Sequence, residues 1–374
     1  MASVEVEHVV KYYDTADAVS LMGTFTRPPA LDDVTIRLED GETVSLVGAS
    51  GCGKSTLLKV VAGLETPDRG RVLFDGLDVT AMAPQDRGVG MVFQDYALYP
   101  SMRGKGNLAY YFQVHQRSEA EAEQRTRKVA EIMGVGFDLL MGRVPTTLSG
   151  GEQQRVAIGR CIVRDPSLFL MDEPICNLDA KLRESTRLEL KKLLRNFAIT
   201  SLYVTHDQQE AVFMGDRIAV MRGGRIEQLG TFDELYYTPA NLYVARFIGA
   251  PPIGVMPAIV EDRRVSVGAA SWPLPDALAD ELPPGPVQIG VRPEGWLLDA
   301  VDGAVLPVRH IERIPTERSA FLFTTLGGEN IVIAVPLDYP EREQIQVSPD
   351  WERVYVFAAE SEETLRAPGV LELF

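Results

Sequence analysis

The sequence predicts an α/β fold built on a mostly parallel sheet, followed by a small all-β barrel or sandwich. Three observations carry this. Apolar strand-like runs alternate with helical stretches through residue 249. A glycine-rich turn at 48–53 sits between a strand and a helix. Near residue 250 the composition shifts, and Pro251, Pro252, Pro257, Pro273, Pro275, Pro283, Pro284 and Pro286 punctuate short strand-like runs.

The elements follow in order. Val4, Val6 and His8 alternate with Glu5, Glu7 and Val9, and 34–38 alternates again before a turn at Asp40 and Gly41. Residues 43–47 form an apolar strand that runs into the glycine loop, and 55–62 reads as a helix ended by Gly63. The Glu-, Ala-, Arg- and Lys-rich stretch 118–133 predicts an exposed amphipathic helix. Residues 148–151 break the pattern and open a second helix through Arg164, which Asp165 and Pro166 end. A buried strand is expected at 168–171, a helix at 180–197 and a strand at 201–204. Beyond 250, strands are expected at 287–291, 305–311, 321–325, 330–335 and 354–357. The domain expectation is 1–249 and 250–374, with no internal repeat.

Composition narrows the function classes. With 374 residues and 45% hydrophobic content the chain can bury a large core. Its net charge of -16 lacks the basic footprint of nucleic-acid binding, so no nucleic acid is expected as partner. The three cysteines, Cys52, Cys161 and Cys176, have no metal-like spacing and read as reduced thiols. Residues 1–7 lack the basic-then-apolar layout of a signal peptide. No run reaches the roughly 18 to 20 apolar residues that span a bilayer. Any work at a membrane is therefore expected of a peripheral subunit.

The loop GASGCGKS at 48–55 matches G-x-x-x-x-G-K-S in the strand-to-helix context that motif requires. Its glycines let backbone N–H groups turn toward phosphate oxygens, and the helix start adds partial positive charge. Candidate nucleotide contacts are Gly48, Ser50, Gly51, Cys52, Gly53, Lys54, Ser55 and Thr56. Lys54 is placed to reach the β- and γ-phosphates and Ser55 to ligate Mg²⁺. The apolar strand at 168–171 ends in Asp172 and Glu173. Asp172 is the candidate metal-side acid and Glu173 the water-side acid, since phosphoryl transfer depends mostly on positioning and charge stabilisation. LSGGEQQR at 148–155 opens a helix. Ser149 with Glu152 three residues on is a capping-box pattern, and a Ser-Gly-Gly helix start also offers donors to a phosphate.

These motifs, in this order, resemble the ATPase subunits of ABC transporters, and the resemblance covers nearly the whole chain. LSGGEQQR matches the ABC signature. The resemblance implies an ABC ATPase domain with a RecA-like core, an antiparallel β subdomain and a helical subdomain at about 95–165, followed by an OB-type regulatory domain. It implies that Ser149, Gly150, Gly151 and Glu152 contact ATP held by an opposite subunit, so that a head-to-tail dimer sandwiches nucleotides. Gln94 matches the Q-loop, which contacts Mg²⁺ and senses the permease. Asp179, in Asn177-Leu178-Asp179, looks like the D-loop. His206 matches the switch histidine that contacts the γ-phosphate. Tyr13, with Tyr12 as the alternative, resembles the aromatic that stacks on adenine, although either could be a core aromatic.

The segment FQDYALYPSM at 93–102, FIGAPP at 247–252 and GVRPE at 290–294 are similar to segments of importer ATPases of the maltose and glycerol-phosphate type. The resemblance implies ATP and Mg²⁺ as cofactors and a second ATPase subunit, in a homodimer or a paired heterodimer. It further implies two transmembrane permease subunits, an indirect extracellular solute-binding protein, and a place at the cytoplasmic face of the inner membrane. Polyamine, sulfate and iron importers share this layout, and a soluble ABC ATPase is the rival from another class. Residues 14–30 are longer than the usual connection, Ala49 replaces a common proline, and Ile175-Cys176 stands where relatives usually carry Leu-Ser. None of these removes a catalytic group.

Overall fold

The computed structural model describes residues 2–13, 28–134, 136–316 and 318–368. The chain opens with β1 (Val4–Lys11), β2 (Leu31–Leu38), β3 (Thr43–Gly48), α1 (Lys54–Ala62), β4 (Arg69–Phe74), β5 (Leu77–Asp78) and β6 (Val89–Val92). Four helices follow: α2 (Gly104–Val114), α3 (Glu119–Met133), α4 (Phe137–Met141) and α5 (Gly150–Ile162). Then come β7 (Leu168–Asp172), α6 (Ala180–Asn196), β8 (Ser201–Val204), α7 (Gln208–Met214), β9 (Arg217–Arg222) and β10 (Arg225–Gly230). The chain divides into two compact units, Met1–Leu229 and Gly230–Phe374. The composition shift lies near 249, whereas residues 230–249 belong to the second unit.

The first unit holds the parallel sheet that the alternating pattern predicts. Its strand order is β10-β9-β3-β8-β7-β6. β3 runs parallel to β8 and β9, and β7 runs parallel to β6 and β8. All six residues of β3 are buried, as expected of a central strand covered on both faces. A separate sheet, β2-β1-β4-β5, is antiparallel. β4, β5, β6, β9 and β10 were not among the expected strands; β4 and β6 pair with β1 and β7, distant in sequence, and β5 is a two-residue strand paired with β4.

The alternation in β1 breaks where the sequence expected it to continue. Val4, Val6 and Val9 are buried while His8 is exposed. The register shifts between Val6 and Val9, and His8 lies at φ 50. This bulge turns His8 out to Asp33, whose Oδ1 lies 2.8 Å from its Nδ1.

Local chemistry sets the helix ends. α1 starts and ends on left-handed glycines, Gly53 and Gly63. The buried Arg87 guanidinium donates to the carbonyls of Val60 and Val61, each at 2.9 Å, and so satisfies the end of α1. Ser118 caps α3, Asp179 caps α6, and Ser149 with Glu152 forms a complete capping box on α5. α2, α3, α4 and α5 share an apolar core of Leu108, Phe112, Val129, Phe137, Leu140 and Val156. These four helices fall within the stretch 95–165 where a helical subdomain is expected.

The second unit begins with α8 (Phe232–Tyr237) and α9 (Leu242–Phe247). It continues through β11 (Gly254–Glu261), β12 (Arg264–Val267), β13 (Ala270–Pro273), α10 (Asp276–Glu281), β14 (Gly285–Val291) and β15 (Trp296–Leu298). The remaining strands are β16 (Ala304–Pro307), β17 (His310–Ile314), β18 (Ser319–Leu326), β19 (Glu329–Val335), β20 (Gln344–Pro349), β21 (Val354–Ala358) and β22 (Thr364–Arg366). They form three sheets, β13-β12-β11-β14-β21-β22, β15-β20-β16 and β17-β18-β19. The paired strands run antiparallel around one apolar core containing Trp272, Ile289, Leu322 and Ile333. This β-rich unit agrees with the OB-type domain the sequence implies. The single run expected at 305–311 is two strands, because Pro307 stops the ladder of β16.

A half-buried ion pair ties the start of the parallel sheet together. Arg217 at the start of β9 donates Nε to Glu42 Oε1 at 2.5 Å and Nη2 to Oε2 at 2.7 Å. Burial works to raise the Glu42 carboxyl, but the Arg217 hydrogen bonds and charge and the Glu39 N–H hold it below the usual carboxylate range. A carboxylate so lowered contributes stability above its unfolded pKa and loses it as the pH falls through the folded value. Glu42→Gln is expected to cost about 1–3 kcal/mol near pH 7. The gap from the parent should shrink below about pH 4 in denaturant titrations, where the parent's own carboxylate protonates.

Candidate functional site

The glycine loop at 48–53 turns where only glycine fits. Gly48 lies at φ 155, and a Cβ there would meet the Met221 carbonyl oxygen of β9 at 2.2 Å. Gly51 lies at φ 78 facing open space, so it needs glycine for its backbone angle rather than for room. Lys54 is buried, and its Nζ donates to the carbonyls of Gly48 at 2.8 Å and Ala49 at 3.1 Å. The ammonium is thus held over the loop by the loop's own carbonyls, next to the Cys52 sulfur at 3.9 Å. Ser50 is exposed, and Thr56 follows on the first turn of α1.

Parallel pairing brings the acidic strand end to this loop. Ser55 Oγ donates to Asp172 Oδ1 at 3.2 Å, joining α1 to the end of β7. Burial pushes the Asp172 carboxyl above its usual range; the Ser55 hydrogen bond opposes this and the neighbouring Glu173 charge adds to it. Glu173 sits at φ 47, a left-handed angle that costs a non-glycine residue about 1–3 kcal/mol. Its N–H donates to the Val204 carbonyl at 2.9 Å, and its Oε2 lies 3.1 Å from His206 Nδ1. Glu173 is mostly shielded, with 22% of its side chain exposed against 63% for His206. The pair therefore presents an imidazole to solvent in front of a recessed carboxylate.

The turn carrying His206 is tied down from below. Tyr203 donates its hydroxyl to the buried Glu210 carboxylate. Burial raises both groups, so the Glu210 carboxyl lies above its usual range. Asp207 caps α7 by accepting from Gln209 and Glu210. Sequence reasoning missed Tyr203 and Glu210, because neither falls in a motif and their seven-residue separation crosses a strand end and a helix start.

Gln94 is exposed just beyond β6, and its carbonyl accepts from Asn177 Nδ2 at 2.9 Å. Tyr96 and Ala97 follow in left-handed angles, φ 62 and 45, and Arg160 donates to both carbonyls at 3.1 and 2.6 Å. Asn107, buried in α2, grips the next turn through Tyr99 N–H at 2.9 Å and the carbonyls of Tyr99 and Met102. Asn107 and Arg160 carried no sequence signal, since a polar residue on an apolar helix face reads only as a break in the pattern.

Ser149, Gly150, Gly151 and Glu152 lie away from this constellation and make no hydrogen bond to residues 48–56 among the described residues. Ser149 is exposed. The Glu152 carboxyl is lowered first by the Ser149 N–H and then, against some burial, by the Ser149 hydroxyl and Arg143. A Cβ on Gly151 would meet the Leu182 side chain of α6 at 2.8 Å, so this glycine also serves the packing of α5 on α6. The Asp179 carboxylate accepts from Leu182 N–H at 3.0 Å as the α6 cap. Tyr12 and Tyr13 are both exposed, at 48% and 43%, and neither is a core aromatic. Lys11 Nζ lies 5.6 Å from the Tyr13 ring centre. The insertion expected at 14–30 lies outside the described residues as far as residue 27.

Comparison with known proteins agrees with this arrangement. The family model described as ABC transporter matches residues 31–176. The chain is 41% identical to an sn-glycerol-3-phosphate import ATP-binding protein of Rhizobium johnstonii, over 89% of this chain and 94% of that one. It is 44% identical to a trehalose/maltose import ATP-binding protein of Thermococcus litoralis, over 84% and 86% of the two chains. It is 38% identical to an osmoprotective compounds uptake ATP-binding protein of Synechocystis, over 97% and 99%. A solved dimeric ATP-binding cassette in a post-hydrolysis state, bound to ADP and Pi, aligns with a TM-score of 0.52 and 30% identity, covering 61% of this chain and 98% of that one. With most of its length matched to import ATP-binding proteins and its loop, acidic strand end and signature in place, this chain belongs to the ABC transporter family as the ATPase subunit of an importer.

Proposed function

We propose that this chain binds ATP with Mg²⁺ on its glycine loop, that residues 149–152 of a second ATPase subunit close over that nucleotide, and that the cycle drives uptake of a sugar, polyol or glycerol phosphate. The observation that carries the catalytic part is the meeting of Ser55 with Asp172 and of Glu173 with His206 at one edge of the sheet. The substrate class rests on relatives named for glycerol-phosphate, trehalose/maltose and osmoprotectant import.

The residues fit Mg²⁺. Ser55 and Asp172 already converge, and no group of three acidic, cysteine or histidine ligands occurs among the described residues. That suits a cation that takes one or two protein ligands and completes its shell from phosphates and water. Ser55, Asp172 and Gln94 would hold it, and it would offset charge on the β- and γ-phosphates. Lys54 would leave the Gly48 and Ala49 carbonyls for phosphate oxygens. Glu173 would accept a proton from the attacking water. His206 would donate to the γ-phosphate, held in place by its contact with the Glu173 carboxylate. Tyr13 would stack on adenine, with Tyr12 the alternative.

A 480 Å³ cleft beside the segment after Gln94 is lined by Leu64, Tyr99, Tyr110, Tyr111, Val114 and Arg164 among others. Its aromatic and aliphatic walls suit a short amphipathic helix of a permease subunit. No helix among the described residues is long and apolar enough to cross a membrane. In the proposed assembly such permease partners would form the membrane path, with this chain at their cytoplasmic face. A solute-binding protein would act on the far side, without touching this chain.

Purification of the chain from its native membrane should retain two permease subunits; recovery without any permease would overturn the importer assignment. Glu173→Gln should keep ATP affinity and slow steady-state phosphate release by about 10²- to 10³-fold. Turnover near that of the parent would remove Glu173 from the role of base.

A further inference from the structure

The segment expected to meet a partner's polyphosphate carries a carboxylate, Glu152, and an unbalanced negative charge there would repel its ligand. The structure shows how that charge is absorbed. Glu152 Oε2 accepts from the Ser149 N–H at 2.7 Å, and Oε1 accepts from Arg143 Nη1 at 3.0 Å. Arg143 Nη2 donates to the Thr147 carbonyl, so one guanidinium spans the approach to the helix and its first turn. The Arg143 backbone is fixed in turn. Its N–H donates to the Leu140 carbonyl at 3.1 Å, and its carbonyl accepts from Gly104 N–H at 2.9 Å, at the start of α2. Both side chains remain partly open, 43% for Arg143 and 33% for Glu152, so their net charge faces solvent and any partner.

We propose that Arg143 is a positioning residue for the nucleotide held by the opposite subunit: it neutralises Glu152 and keeps its carboxylate folded back over the start of α5. Ser149 Oγ accepts from the Glu152 N–H at 3.4 Å and itself bonds the Glu152 carboxylate, so the charge on that carboxylate bears directly on the hydroxyl a partner's phosphate would meet. Without Arg143, the same surface presents a net negative charge to a polyphosphate, and the carboxylate competes for donors meant for the ligand. The inference rests on the proposed placement of residues 149–152 against the partner's ATP.

The test is a set of full-length variants assayed for ATP-driven dimerisation and for steady-state hydrolysis across ATP concentrations. Arg143→Ala should lower kcat/KM about tenfold, the loss of one hydrogen bond between charged groups, with weaker dimerisation. Arg143→Lys, which keeps the charge, should recover most of it. Adding Glu152→Gln to Arg143→Ala should raise kcat/KM and dimerisation above those of Arg143→Ala alone, because the charge that Arg143 balances is then gone while the side-chain oxygen can still accept from the Ser149 N–H. A purely structural Arg143, acting only through the Thr147 carbonyl, gives no such rescue, and that result overturns the proposal, as does an Arg143→Ala variant equal to the parent. Thermal unfolding midpoints of the variants identify any loss of fold, and rescue by Glu152→Gln remains decisive if the midpoint of Arg143→Ala drops. Ser149→Arg separates the two levels. If it dimerises normally with ATP, the placement of residues 149–152 is wrong. If it fails to dimerise while Glu152→Gln gives no rescue, the placement stands and only the role of Arg143 falls.

Discussion

Four parallel strands, β3, β8, β7 and β6, lie side by side and end on the same edge of the sheet. The groups expected to handle the phosphates and the water leave from those ends. The glycine loop follows β3, Gln94 follows β6, Asp172 ends β7 with Glu173 next to it, and His206 follows β8. Residues up to 158 positions apart in sequence come together because parallel strands place their carboxyl ends together. The rest of the first unit serves this edge. Buried Arg87 finishes the helix behind the glycine loop, and the Glu42–Arg217 pair fastens the strands at their other end.

The chemistry at this edge comes from crowding carboxylates and limiting water. Asp172 is raised chiefly by burial and further by the Glu173 charge, against the Ser55 hydrogen bond and the charges of Lys59 and Lys54, so its ionised form is costly there. A cation and the Lys54 ammonium are the natural relief. Glu173 adds backbone strain, which the ladder bond to Val204 and the contact with His206 hold in place. At the signature segment the same problem has a different solution: a fixed arginine balances the acid without any ligand.

Much of the fold and of the candidate site was legible in the sequence, for physical reasons. Runs such as 43–47 and 168–171 are apolar because both faces of their sheet are covered, and that leaves a plain mark. Ser149 with Glu152 forms the capping box its spacing predicts, which is a local chemical demand. The misses were non-local. The bulge at His8 answers to pairing with β2 and β4, both distant in sequence. Asn107, Arg160 and Arg143 act by reaching carbonyls or a carboxylate on other segments, and a single polar residue shows nothing of its reach. The exposure of both Tyr12 and Tyr13 was equally invisible, since a tyrosine suits a core or a surface.

The close approach at Gly151 ties two helices with separate duties. α5 begins with the signature segment and α6 begins with Asp179, and the missing side chain at 151 lets Leu182 press directly onto the α5 backbone. Close-packed contacts of this kind transmit displacement rather than absorb it. The loop at 175–178 just before α6 carries Asn177, which holds the Gln94 carbonyl, so the start of α5, the start of α6 and the segment after β6 are joined by direct contacts. Leu178 approaches Gly150 in the same way, so two leucines from the start of α6 and the loop before it rest on the first turn of α5, and neither glycine can take a side chain without moving them.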